Sequence, residues 1–321
     1  MSKDSPSVGN PHPYITRKSS ARKRNVGAGL SPALQSPPAQ QPSPAQQTPP
    51  ALLNSAQQPP PAQQTPSALL NSAQQTSSEW LKSTFQPFAD GLQQLGLELT
   101  EQQFDQFLRY KQELLDWNTR INLTAINDPA EIMLKHFLDS LSLLMVYEVS
   151  DARLLDIGAG AGFPGLPLKI VRPQWQVLLL EATGKKVTFM RHIIETLQLY
   201  DVQAVHGRAE ELAHKPEYRA AFDALTARAV ASLPVLLEYA APFCRVGGQI
   251  ILPKKGDLAE ELAQGKRAAR QLGVVLKDSV AVRLPGLEDG RRLLVWEQVK
   301  KCPEQFPRSG SVISKKPLGL L

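Results

Sequence analysis

The residues best placed to do chemistry lie in one stretch: Asp156, Ile157, Gly158, Ala159, Gly160, Ala161, Gly162, Phe163, Pro164 and Gly165. An apolar run precedes it and a helical pattern follows. Glycines let the chain turn tightly and let backbone approach a ligand closely. A helix start just beyond them presents unpaired N–H groups. Together these suit a nucleotide-like cofactor at the carboxyl end of a strand. Gly160, Gly162 and Gly165 match the dinucleotide spacing G-x-G-x-x-G. Asp156 points elsewhere. A carboxylate behind the turn repels a pyrophosphate and attracts a cofactor carrying an ammonium and a sulfonium, as S-adenosylmethionine does. Phe163 and Pro164 also crowd the helix start where a pyrophosphate would dock.

Other candidates sit at similar positions downstream. Glu181 closes the apolar run from Trp175. Its carboxylate can accept from both hydroxyls of a ribose, as in dinucleotide enzymes, or it is a solvated strand-end acid. Gly207, Arg208, Ala209 and Glu210 follow the next strand pattern. A backbone N–H and the Glu210 carboxylate there can hold an adenine edge, or Glu210 simply answers a helix dipole. Arg228 ends a further strand, where a planar fork can anchor a cofactor, clamp a phosphate or bond a base. His136 and Asp139, three apart on a helix face, can approach a substrate or serve as surface and capping residues. Lys185 and Lys186 begin a helix, where positive charge is disfavoured; they read as a phosphate site or a solvated pair.

These residues need elements to hold them. Strands are expected at 153–157, 176–180, 202–206, 222–226, 249–252, 274–283 and 291–299. Helices are expected between them at 186–197, 233–243 and 258–271, the second ending at Gly247-Gly248 and the third capped by Asp257 and stopped at Gly273. Apolar strands alternating with helices give a mostly parallel sheet covered on both faces. The turn-rich stretch 284–290 joins the last two strands as a hairpin, which predicts an antiparallel edge strand. Upstream, Thr100 and Gln103 form a capping-box pattern. Phe104, Phe107, Leu108, Leu114 and Leu115 then recur at helical spacing. A second helix is expected from Pro129 to Val146, with Met133, Phe137, Leu141 and Leu144 on its apolar face.

Composition bounds the rest. Fourteen of the 27 prolines lie in residues 1–77, which also carry a net +5 of the chain's +6. The remaining residues are nearly neutral, so overall charge says little about nucleic acid. Residues 1–77 are rich in Pro, Gln, Ser and Ala and are expected to be disordered. Within them Gln46–Gln58 recurs as Gln63–Gln75, a duplicated linker or a docking tail. The expected divisions are a tail (1–78), a helical cap (79–150), the cofactor domain (151–300) and a basic C-terminal segment (301–321). Cys244 and Cys302 are far apart and in no metal-ligand spacing, so no metal site and no disulfide scaffold is expected. No apolar run is long enough to span a membrane. A secretory signal is not expected, and a cytoplasmic monomer is.

Several of these segments resemble one family closely. They are Trp117–Thr124, His136–Leu141, Asp156–Gly165, Leu180–Lys186, Arg208–Glu210, Phe222–Ala229, Lys254–Gly256, Phe306–Arg308 and Lys316–Leu318. From about residue 85 to 318 the chain is similar to the small-subunit rRNA guanine-N7 methyltransferases, the RsmG (GidB) family. The resemblance implies a class I, Rossmann-like α/β methyltransferase fold with a seven-stranded mostly parallel sheet and an N-terminal helical cap. It implies methyl transfer from S-adenosyl-L-methionine to N7 of a guanine in the decoding-region loop of 16S rRNA, on free rRNA or the 30S subunit. Cofactor contacts are then implied at Gly158, Phe163, Glu181, Ala182, Thr183, Ala209, Glu210 and Arg228. Family members often carry Ser or Thr where this chain has Ala159. Guanine N7 has a free lone pair, so no catalytic base is nominated. RNA contacts are expected from the basic C-terminal segment and from Lys254 and Lys255. A same-fold enzyme with a protein or small-molecule substrate, and a non-catalytic ribosome-assembly factor, are the alternatives.

Overall fold

Seven strands form one sheet in the computed structural model, in the order β3-β2-β1-β4-β5-β7-β6. The structure describes residues 85–320. The Pro/Gln-rich tail, its repeat and the expected onset of order near Glu79 lie outside them. The strands are β1 (Arg153–Ile157), β2 (Gln176–Glu181), β3 (Val202–His206), β4 (Phe222–Thr226), β5 (Cys244–Lys254), β6 (Val274–Ala281) and β7 (Arg292–Gln298). β1 is parallel to β2 and β4, β2 to β3, and β4 to β5. The chain therefore runs outward from β1 in one direction and then the other. That reversal opens a crevice at the carboxyl ends of β1 and β4.

Two expectations need correction. β7 is the antiparallel strand, and it is interior rather than at the edge, pairing with both β5 and β6. The hairpin folds back and inserts its second strand beside β5. Gly247 and Gly248 do not end a helix. The helix Leu233–Ala240 passes through a 3-10 turn, Ala241–Phe243, straight into β5. The two glycines lie inside that strand, where the β4–β5 register shifts between Phe222 and Ala224. A glycine pair inside a strand marks such a bulge.

Upstream of the sheet lie helices α1 (Gln86–Gln94) and α2 (Glu101–Asn118). The capping box closes α2 as expected: Thr100 Oγ1 accepts from the Gln103 N–H at 3.2 Å, and Gln103 Oε1 accepts from the Thr100 N–H at 3.0 Å. Phe107, Tyr110 and Leu114 on its inner face are fully buried. The expected helix from Pro129 is there but is not uniform. Pro129–Ile132 is α-helical, Met133–Leu138 is π-helical, and Asp139–Leu141 and Ser142–Met145 finish as α and 3-10 turns. The π stretch carries His136, and Asp139 follows directly. π segments of this kind recur at functional sites.

One apolar cluster runs from Phe88, Phe107 and Phe137 of these helices to Leu179 of β2 and Phe189 of the helix Gly184–Thr196. Polar ties reinforce it: Gln103 Nε2 donates to Ile170 O and Gln106 Nε2 to Leu197 O, both at 2.9 Å. The helices that bear His136 and Asp139 are thus fixed relative to the crevice. Burial pushes the Cys244 and Cys302 thiols each up to about 12. No helix among the described residues is long and apolar enough to cross a membrane.

Candidate active site

The loop after β1 is built by its own hydrogen bonds. The N–H groups of Gly158 and Ala159 both donate to Leu180 O, at 2.7 and 3.1 Å, and those of Gly162 and Phe163 donate back to Ala159 O. Gly158, Gly160 and Gly162 all have positive φ. Gly162 has a second constraint. A Cβ there would lie 2.4 Å from Leu166 Cδ1 and 2.6 Å from the Tyr110 hydroxyl. Tyr110 itself donates to Ala161 O from beneath the loop.

Two carboxylates brace this turn. Asp156 is fully buried, and its Oδ2 accepts from the Gly165 N–H at 2.8 Å, fixing the start of helix Gly165–Val171. Its Oδ1 has no partner, and neither has Thr226 Oγ1, its neighbour across the β1–β4 pairing. Burial pushes Asp156 up to about 7; the Gly165 N–H and the Arg228 charge oppose the rise. Glu181 is nearly buried, with Oε2 accepting from Gly160 N–H at 3.0 Å and Oε1 from Thr183 N–H at 2.8 Å. Both acids are therefore spent in part on the backbone, as the sequence does not reveal.

A testable pH dependence follows. The folded pKa of Asp156 lies above its unfolded value, so the native state binds the extra proton between about 4 and 7. Its contribution is then fully present below pH 4 and is lost as pH rises through 7. The melting temperature of Asp156→Asn minus that of the parent should grow more positive across this window. A difference that is flat with pH would refute the assignment.

Arg228, two residues beyond β4, is the hub of the second half. Its Nη1 donates to Asp139 Oδ2 at 2.8 Å and to Lys135 O at 3.3 Å, and its Nη2 lies 3.3 Å from His136 Nδ1. Burial, then the Arg228 charge, lower His136 to about 4. The ring is therefore neutral near pH 7: Nδ1 accepts from Arg228, and Nε2 donates to Thr124 Oγ1 at 2.7 Å. His136 also stacks on Phe163 at 4.5 Å between centroids, with Tyr110 stacked on the same ring at 5.3 Å. Arg228 stands 5.2 Å from that centroid. Asp139 is held from its other oxygen by Arg291, which also pairs with Asp289. His136 and Asp139 are thus not surface or capping residues. The π stretch turns them onto one guanidinium.

The fold brings the eight expected residues to one end of the sheet. Gly158 and Phe163 follow β1, Glu181 ends β2 with Ala182 and Thr183 after it, Ala209 and Glu210 follow β3, and Arg228 follows β4. Phe163 is buried, whereas Ala182 and Thr183 are exposed. Sequence reasoning missed Tyr110, Thr124 and Arg291. Tyr110 was accessible, lying three residues after Phe107 on the same helix face. Nothing local marks Arg291, which meets Asp139 across 152 residues of chain.

Residues 103–288 match the family described as GidB, rRNA small subunit methyltransferase G. The chain belongs to this family. A ribosomal RNA small subunit methyltransferase G of Dehalococcoides mccartyi (strain CBDB1) is 46% identical over 228 residues, 71% of this chain and 97% of that protein. The protein of the same name from Roseiflexus sp. (strain RS-1) is 45% identical over 223 residues, 70% and 95% of the two chains. Among solved structures, the precorrin-6y C5,15-methyltransferase of Geobacter metallireducens GS-15 is 16% identical, with a TM-score of 0.38 over 55% of this chain and 90% of that one.

In this chain, two basic regions expected to face RNA are partly committed elsewhere. Lys254 Nζ donates to Glu261 at 2.7 Å and to Ala231 O at 3.0 Å. Glu261 also accepts from the Leu233 N–H, so the pair braces the loop beyond Arg228. The C-terminal segment is packed rather than free. Phe306, Ile313 and Leu318 are buried, and Arg308 pairs with the fully buried Glu238. Arg219 fans onto the carbonyls of Ala213, Cys302, Pro303 and Phe306. Gly310 presses on Glu210: a Cβ there would lie 2.3 Å from Glu210 Oε1. This segment therefore forms a wall beside Glu210.

Proposed function

We propose that the chain transfers a methyl group from S-adenosylmethionine to N7 of a guanine in 16S rRNA, as free RNA or within the 30S subunit. The observation that carries this is the juxtaposition, at the carboxyl ends of β1 and β4, of a glycine loop backed by acids and an arginine fixed over Phe163. The donor supplies a methyl group activated on a sulfonium. The residues present fit such a cation. Asp156 Oδ1 and Thr226 Oγ1 are enclosed and unpartnered, and Glu181 adds a second carboxylate at the rim. Gly158, Phe163, Ala182, Thr183 and Ala209 line the turns that would hold the donor. Glu181 would take the ribose and Glu210 the adenine edge.

Arg228, implied by the resemblance as a cofactor contact, is offered here instead as the group that orients the base. Guanine N7 attacks through a lone pair, so no residue needs to remove a proton first. Positioning alone is worth about 7–11 kcal/mol in favourable cases. Methylation leaves a positive purine, and a bare guanidinium beside it would oppose the reaction. Asp139, shared between Arg228 and Arg291, offsets that charge. Neutral His136 adds none. Among the described residues no group of three or more His, Cys, Asp or Glu could hold a metal ion.

The direct test is labelled methyl transfer onto 16S rRNA and onto 30S particles, followed by chemical cleavage at 7-methylguanine. Label that enters RNA and yields a single cleavage site supports the assignment. Label that enters only protein, or no label at all, would refute it.

A further inference from the structure

We infer a second site, a cavity that takes a phosphodiester of the rRNA backbone beside the target base. It rests on rRNA being the substrate. The cavity has a volume of about 330 Å³ and is lined by Arg120, Ile121, Asn122, Thr183, Lys185 and Lys186. Two elements make it: the loop that follows α2, and the first turn of the helix Gly184–Thr196 that follows β2.

Its three cations differ from the others near the crevice. Arg228 and Arg291 are answered by Asp139, Lys254 by Glu261 and Arg308 by Glu238. Arg120, Lys185 and Lys186 have no carboxylate partner among the described residues; Arg120 only approaches the Trp117 ring, at 5.5 Å. The acid nearest the two lysines along the chain, Glu181, has both oxygens turned to the Gly160 and Thr183 N–H groups. Three like charges around one concavity repel one another until an anion enters. The Asn122 amide and the Thr183 hydroxyl add neutral donors.

Charge and place narrow the ligand. Thr183 is two residues from Glu181, so the cavity adjoins the glycine loop. A nucleotide delivered to that loop carries its flanking backbone past this wall. Backbone contacts of this kind set register and orientation rather than sequence preference.

The test uses the full chain, with Lys185→Gln/Lys186→Gln as the variant. Affinity for 16S rRNA is measured over a salt series, and S-adenosylhomocysteine binding is measured by calorimetry. At about 0.1 M salt the variant should bind rRNA roughly tenfold more weakly, and its salt slope should be shallower by about 0.7–1 for each phosphate no longer neutralised. Its S-adenosylhomocysteine affinity should stay within about twofold. Lys185→Arg/Lys186→Arg should keep the parental slope, because charge is retained. An unchanged slope in the glutamine variant overturns the site. A matching loss of S-adenosylhomocysteine binding also overturns it, by assigning the cavity to the donor's own carboxylate. A parent chain that fails to methylate rRNA sinks the functional assignment itself, and the site with it; a parent that succeeds while the variant matches it sinks the site alone.

Discussion

Arg228→Ala should lower kcat/KM for rRNA methylation by about a hundredfold, the scale that loss of precise positioning produces. The side chain reaches Asp139, His136 and Lys135 O and lies over Phe163. Its loss removes the group proposed to orient the base and frees Asp139 and His136 from it. The fold should suffer less. Asp139 keeps Arg291, so the penalty should stay near the 1–3 kcal/mol typical of a lost buried partner. Arg228→Lys separates the two effects. It retains charge but not the planar fork, so it should recover most stability and little activity. Single-turnover methylation beside urea denaturation reads both. An alanine variant with parental turnover would remove Arg228 from the reaction.

Arg308→Ala should be the most destabilising single change in the C-terminal segment. Glu238 is fully buried and accepts three hydrogen bonds from Arg308: from the backbone N–H at 3.0 Å, and from Nε and Nη2 at 2.7 Å each. Truncation leaves a buried carboxylate with the backbone donor alone. Stranding one member of a buried pair costs 3–5 kcal/mol. Arg308 is a quarter exposed, so about 3 kcal/mol is expected. S-adenosylhomocysteine affinity should fall as well, since Gly310 two residues on is packed against Glu210. Arg308→Met combined with Glu238→Leu should restore much of the stability, because the uncompensated charge is gone. Urea midpoints and calorimetry check both statements. A stable Arg308→Ala chain with parental donor affinity would show that the segment is not structural.

What was legible in the sequence follows from how local each signal is. β1, β2 and β4 stand out because parallel strands buried on both faces read as apolar runs, whereas β3, at the sheet edge, alternates buried and exposed residues. The glycine loop and the acids at the strand ends inherit that clarity, since each is fixed by its place after a strand. Asp156 was visible as an acid but not as a brace for Gly165. That role depends on a hydrogen bond nine residues away. The π stretch Met133–Leu138 left no mark, because composition does not encode an i→i+5 pattern. Gly247 and Gly248 are ambiguous for a related reason. A glycine pair after a helix and one inside a bulged strand look alike until the partner strand is known. The basic C-terminal segment was legible as charge but not as packing. Counting lysines and arginines cannot reveal that Arg308 is neutralised by a residue 70 positions earlier.

The two thiols carry a practical consequence. Cys244 and Cys302 are the chain's only cysteines, the first buried and the second partly so, and burial pushes both thiols up to about 12, so little thiolate is expected on the native protein at neutral pH. A single cysteine introduced on an exposed surface should therefore label ahead of the natural pair. Fluorescence reporters of RNA docking can be installed one position at a time, in an otherwise unaltered background.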